Sequence, residues 1–180
     1  MTISARREPF LISTDPAIID LDVVHDVLTS LYWCEGIPKE TVRRGIEGSI
    51  TFGVYDTSRP RSSARPEIRG HEPSAGYQGF PAQVGFARVI TDKATFAYLS
   101  DVFIIDEYRS RGLSKWLIET ILVHPDLQGL RRFCLLTRDA HGLYARYGFK
   151  PLPDAARYLE IWNPDVYRRP HEACDDSRQW

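Results

Sequence analysis

Ile18, Ile19, Val23, Val24, Val27, Leu28 and Leu31 recur at three- and four-residue spacing, the repeat of an amphipathic helix. Asp15 stands where an N-cap belongs, and Pro16 at the first helical position. The run Tyr32-Trp33-Cys34-Glu35-Gly36-Ile37-Pro38 breaks the period, and residues 41–46 predict a second short helix ending near Gly48. Residues 49–55 alternate and are rich in β-branched and aromatic types, so they predict a strand. The dozen residues ahead of the first helix carry no clear period and are expected to form a loose leader.

Residues 57–81 change character. Pro60, Pro66, Pro73 and Pro81 alternate with glycines, serines and Arg59, Arg61, Arg65 and Arg69. Such a stretch cannot bury enough apolar area to offset its ordering entropy, so it predicts a long loop. Neither flank looks complete alone, which places the loop inside one domain. Its arginines could meet a phosphate, but a solvated loop is the simpler reading.

Beyond it, residues 84–91 and 95–105 read as strands joined by a turn at Asp92-Lys93. Leu113, Leu117, Ile118, Ile121 and Leu122 restore helical spacing, closed by Pro125 and Gly129. Residues 132–137 predict a strand; Leu143, Tyr144, Tyr147 and Phe149 predict a short helix with Gly148 as its left-handed end. Residues 158–162 predict a last strand. The expected organisation is one domain over 1–162, holding the 57–81 loop, with 163–180 as a poorly ordered tail.

A chain of 180 residues with 43% hydrophobic and 12% aromatic residues can fill one core. The 23 Lys+Arg against 24 Asp+Glu give a net charge of -1, which disfavours nucleic acid and anionic membranes as partners. No apolar run approaches the roughly 18–20 residues of a membrane span. The first residues lack the apolar stretch of a secretory signal. Cys34, Cys134 and Cys174 are far apart and show no metal-ligand spacing, so no metal is expected. A cytoplasmic location is the expectation.

The chemistry concentrates in Asp101-Val-Phe-Ile-Ile-Asp-Glu-Tyr-Arg-Ser-Arg-Gly-Leu-Ser114. A strand feeding a glycine-bearing turn that opens a helix aims free backbone N–H groups, and the positive end of the helix dipole, at one point. That arrangement suits a phosphate or pyrophosphate. Gly112 allows close approach, Ser114 is small, and Arg109 and Arg111 add positive charge. Neither a Walker loop nor a dinucleotide-fold glycine pattern is present.

This stretch resembles the acyl-CoA signature of the GCN5-related N-acetyltransferase (GNAT) superfamily, Arg/Gln-x-x-Gly-x-Gly/Ala. Here it reads Arg109-x-x-Gly112-x-Ser114, departing conservatively at its last position. A second family mark, a tyrosine followed closely by Gly-Phe, stands as Tyr144 with Tyr147-Gly148-Phe149. The two lie in the family's order, and the resemblance spans roughly residues 15–162.

The resemblance implies an α/β layered fold: a central mixed, mostly antiparallel sheet of about six to seven strands, flanked by about four helices. The family's fourth and fifth strands splay, so residues 102–104 and 133–137 should diverge. It implies acetyl-CoA as acyl donor and an amine as acceptor, and it makes a homodimer possible. Arg109, Ser110, Arg111, Gly112, Leu113 and Ser114 would cradle the pyrophosphate, and Val102, Phe103 and Ile104 would offer main-chain groups to the pantetheine arm. Tyr144 would protonate the leaving thiolate; packing beside Tyr147 is its plainer role.

The general base is less legible. Positions where relatives carry a glutamate hold Tyr98 and Ser100 here, leaving Asp101 as the remaining acid, either a catalytic group or a strand-end cap. The asparagine that often precedes the tyrosine is missing, with Asp139 or His141 near its place. For the acceptor, the connection between the first two helices points to Tyr32, Trp33 and Glu35, although Trp33 as core is the simpler reading. The implied activity is N-acetyl transfer to a primary amine of a small molecule or peptide. The alternatives are a protein acetyltransferase, acting on an N-terminus or lysine, and a CoA-binding module without turnover.

Overall fold

The structure is a computed structural model and describes residues 2–60 and 80–167. Six strands form one sheet in chain order: β1 (Ser4–Arg7), β2 (Phe10–Ser13), β3 (Ile50–Pro60), β4 (Pro81–Thr91), β5 (Phe96–Ile104) and β6 (Arg132–Cys134). The first four pairings are antiparallel and the last, β5 with β6, is parallel. Four α-helices accompany them among the described residues: α1 (Leu21–Leu28), α2 (Lys39–Glu47), α3 (Leu113–Leu122) and α4 (His141–Tyr144). The mixed, mostly antiparallel sheet matches expectation.

The N-terminal residues are not a loose leader. They make the β1–β2 hairpin, whose second strand pairs with β3 and buries Ile12 completely. Four-residue strands are too short to display a period in the sequence, which is why the pattern hides them. The first helix is also divided. Asp15 caps only the 3-10 turn Pro16–Ile18. Asp20 caps α1, its Oδ1 accepting the N–H groups of Asp22 and Val23 at 3.1 and 3.3 Å. The buried Gln83 side chain accepts the Asp20 N–H at 2.7 Å and donates to the Gly85 carbonyl at 3.3 Å, tying the start of α1 to β4.

β3 and β4 extend into the stretch read as a loop, reaching Pro60 and starting at Pro81. Residues 61–79, with Arg61, Arg65 and Arg69, lie outside the described residues, as does the chain beyond 167. The predicted 158–162 strand is absent: Leu159, Ile161 and Trp162 are 91%, 95% and 73% exposed and belong to no ladder. Alternation alone does not supply an edge to pair with. β6 is likewise shorter than predicted, because residues 135–137 leave the sheet.

The core lies between sheet and helices. Leu113, Trp116, Leu117, Ile118 and Ile121 bury one broad face of α3, which packs against β3 and β5. Val23, Val24 and Leu28 of α1 and Val42 of α2 join Phe52, Phe86 and Val89 in the same cluster. Gly85 sits where β4 faces Ile104: a Cβ there would stand 2.5 Å from Ile104 Cδ1 and 2.9 Å from the Phe103 carbonyl oxygen.

Candidate active site

β5 pairs with β6 only from Phe96↔Arg132 to Tyr98↔Cys134. From Leu99 on, the edge of β5 that faced β6 has no strand partner among the described residues, and the expected divergence of 102–104 from 133–137 is present. Val102, Phe103 and Ile104 therefore end a strand with one open side.

The chain then turns. Ile105 N–H donates to the Val84 carbonyl at 2.9 Å, and the 3-10 turn Asp106–Tyr108 follows. Tyr108 is buried and its hydroxyl donates to Asp56 Oδ2 at 3.2 Å, anchoring the turn to β3. Burial pushes the Asp56 carboxyl up, but hydrogen bonds from Ser58 and Tyr108 outweigh it and hold the pKa below the usual carboxylate range. Arg109 closes outward on Asp106 at 2.7 Å, and the Arg111 guanidinium lies 5.0 Å from the Tyr108 ring centre.

Ser110 and Gly112 both adopt left-handed backbone, with φ of 62° and 77°. Gly112 is the N-cap of α3, and nothing lies within 4 Å of where its Cβ would be. The first intrahelical bond runs from Trp116 N–H to the Gly112 carbonyl at 3.1 Å. The N–H groups of Leu113, Ser114 and Lys115 thus have no acceptor within the helix. Open space over oriented N–H groups and a positive dipole end suits a pyrophosphate.

Tyr144 ends α4 and is buried, its ring nearly perpendicular to Phe149 with centroids 5.8 Å apart. Burial, with Asp139 and Tyr32 nearby, pushes its pKa up to about 12. Tyr32 is drawn to this place too: the Arg138 guanidinium covers its ring at 3.7 Å, and Trp33 meets it edge-on at 4.8 Å. The connection between α1 and α2 therefore touches the connection leading into α4. Trp33 is 43% exposed and not core. His141 and Asp139 are exposed.

A cleft of roughly 290 Å³ lies between the α1–α2 pair and the strands β4 and β5, with Val42, Phe86, Arg88, Asp101 and Tyr167 in its lining. Tyr32, Trp33 and Glu35, expected to wall the acceptor, are not part of that lining; Cys34 between them is buried. Arg88 Nε donates to Asp101 Oδ2, and the Ser100 hydroxyl donates to Oδ1 at 3.0 Å. Arg88 also reaches Ser49 Oγ at 3.4 Å. Burial, with the Asp101 charge adding to it, raises the Cys34 thiol to about 12, so it stays protonated and inert. Arg88 and Tyr167 were not anticipated. Arg88 carried a signal, a lone charge in the otherwise apolar run around 84–90; Tyr167 carried none.

Among the described residues no helix is long and apolar enough to cross a membrane, and no group of three or more His, Cys, Asp or Glu could hold a metal. The profile of the Acetyltransferase (GNAT) domain matches residues 77–151. The provisionally named acetyltransferase FG08082 of Gibberella zeae is 36% identical over 146 residues, 78% of each chain. A GNAT-family structure from Xanthomonas campestris pv. campestris superposes with a TM-score of 0.74 at 42% identity, covering 89% of this chain and 97% of its own. A provisionally named acetyltransferase of Clostridium acetobutylicum, solved with acetyl-CoA, shares the fold at 12% identity and a TM-score of 0.52, over 84% of this chain and 94% of its own. The chain belongs to the GNAT superfamily of acetyltransferases, a family that uses acetyl-CoA.

Proposed function

We propose that the protein moves an acetyl group from acetyl-CoA to a primary amine of a small molecule or peptide, by direct attack with both substrates bound. The observation that carries this reading is the uncrowded, left-handed Gly112 at the start of α3, just past a strand whose outer edge has no partner among the described residues. Acetyl-CoA supplies the acetyl group as an activated thioester. Backbone N–H groups from Ser110 to Ser114 hold its pyrophosphate, and Arg109 and Arg111 add charge. Val102, Phe103 and Ile104 receive the pantetheine arm along the open edge of β5. The new N–C bond forms as the C–S bond breaks; the amine proton leaves to water, and the thiolate leaves toward Tyr144.

A phenol with a pKa of about 12 is fully protonated at neutral pH. Complete transfer to a thiolate whose parent pKa is around 8.5 would be uphill by roughly 3–4 units. Tyr144 therefore acts as a hydrogen-bond donor that stabilises the departing sulfur before any proton moves. Both carboxylate oxygens of Asp101 already accept hydrogen bonds. Arg88 and Ser100 fix this carboxylate on the cleft wall, where its remaining lone pairs bind the ammonium or relay the amine proton through water.

The test joins calorimetry of acetyl-CoA binding with CoA release on a panel of amines. Wild type is expected to bind acetyl-CoA and release CoA with at least one amine. Tyr144→Phe should lower kcat by about 10–100-fold and leave acetyl-CoA affinity intact. Unchanged turnover in Tyr144→Phe would reduce that ring to packing, and binding with no turnover on any amine would leave only a CoA-binding module.

A further inference from the structure

Residues 151–166 are exposed without a break, and the last described residue, Tyr167, is half-buried against the fold. Its ring packs against the core cluster and lines the same cleft as Phe86, Arg88 and Asp101. Its carbonyl oxygen lies 3.6 Å from where a Cβ on Gly36 would be, so the returning backbone crosses the α1–α2 connection at a residue with no side chain. Burial raises the pKa of the phenol, with Cys34, Asp101 and Arg88 close enough to act on it. Among the described residues of this segment, Tyr167 is the one that packs against the core.

We infer that Tyr167 is a specificity-determining residue: the C-terminal segment delivers its ring as a wall of the acceptor cleft, which then admits small amines and turns bulkier ones away. The inference rests on reading this cleft as the acceptor site of the proposed transfer. Roughly 290 Å³ is at the low end of ligand-sized sites, which run from about 300 Å³ upward. Asp101 on the cleft lining directly precedes Val102, where the open edge of β5 is expected to carry the donor. An amine in the cleft thus lies at the acyl end of that edge, and the ring limits what that amine carries behind it.

The experiment uses the full chain with Cys134→Ser and Cys174→Ser, leaving Cys34 as its single thiol. Tyr167→Ala and Tyr167→Phe are compared for Cys34 reaction with dithionitrobenzoate, for acetyl-CoA affinity, and for kcat/KM on ethylamine and phenethylamine. Tyr167→Ala should react at least about tenfold faster at Cys34 and raise the phenethylamine-to-ethylamine ratio about tenfold, with acetyl-CoA affinity unchanged. Tyr167→Phe, which keeps the ring, should keep the wild-type phenethylamine-to-ethylamine ratio and the slow reaction at Cys34. An unchanged amine ratio in Tyr167→Ala overturns the inference, whether or not Cys34 has opened. Wild type that binds acetyl-CoA but turns over neither amine nor any other fails at the transfer reading itself, and the inference falls with it.

Discussion

Gly112→Asp separates the cradle from the fold. At φ 77° any side chain costs about 1–2 kcal/mol in backbone strain, least for Asp and Asn. No neighbour lies within 4 Å of the new Cβ, so no clash is added. Gly112 is the N-cap, and an aspartate there accepts from the N–H groups of Ser114 or Lys115. That cap contributes about 1 kcal/mol, and the dipole a few tenths more. The two effects nearly cancel, so the melting temperature should stay within about 2–4 °C of wild type. Binding has no such compensation. The carboxylate occupies the donors that a pyrophosphate needs and repels its charge. Losing two hydrogen bonds to a charged group costs about 3 kcal/mol or more, hence at least about a hundredfold in acetyl-CoA affinity. Calorimetry on both proteins, with a melt of each, reads both quantities. Gly112→Ala, with the strain but neither charge nor cap, should melt lower yet lose less affinity. A Gly112→Asp protein that melts normally and binds within about threefold of wild type would refute the cradle.

Gly85→Ala should destabilise by about 1–3 kcal/mol, because its Cβ meets the Phe103 carbonyl oxygen at 2.9 Å and backbone cannot swing aside; a melt equal to wild type would show that β4 and β5 give way. Asp101→Asn leaves the Arg88 guanidinium, 21% exposed, without its carboxylate and should cost about 1–3 kcal/mol. The double variant Arg88→Gln/Asp101→Asn should recover part of that loss, and simple additivity would mean that the pair contributes no coupling. His124 is 1% exposed, and burial holds its pKa below the ordinary imidazole value. The unfolded chain therefore binds a proton more readily, so stability is full above about pH 6.5 and falls as the pH drops below it. Melts between pH 7.5 and 5 should show this slope, and His124→Asn should flatten it; equal slopes would remove His124 as the cause.

Long elements and backbone-driven chemistry were readable in the sequence, and contacts between distant segments were not. α3 and strands β3 to β5 carry enough apolar residues to fix their period, and the turn at Gly112 needs only local geometry. The β1–β2 hairpin escaped because its alternation spans four residues a side, and the burial of Ile12 depends on β3, far away in sequence. The 158–162 stretch misled for the opposite reason: it has a strand's pattern but no ladder. On the acceptor side, Tyr32 and Trp33 were placed by their chain position between two helices. Arg138, a residue from the other end of the fold, draws Tyr32 toward Tyr144 instead. The cleft is lined by residues from α1, α2, β4, β5 and the C-terminal turn, a meeting that no single window of sequence contains.

One irregularity in β5 joins the fold to the chemistry. Between the pairs Phe86↔Phe103 and Arg88↔Ser100, β4 advances two residues while β5 advances three. The extra residue is accommodated at Asp101, with φ 55°, a bulge of the kind that re-aims side chains beside a site. Regular alternation would put Ser100 and Asp101 on opposite faces. The left-handed turn instead lets Asp101 accept from Ser100 and from Arg88, the residue paired with Ser100. A non-glycine residue in this conformation costs about 1–3 kcal/mol, and the ion pair with Arg88 is the contact that offsets it. The same bulge shifts the register of Val102, Phe103 and Ile104 just where β6 has departed. Asn tolerates left-handed backbone at least as well as Asp. Asp101→Asn therefore keeps the bulge while removing the charge, whereas Asp101→Ala disturbs both. If the rate falls in Asp101→Asn while acetyl-CoA affinity holds, the charge serves the acceptor side; if affinity falls with it, the bulge itself depends on the pair, and strand shape is what Asp101 supplies.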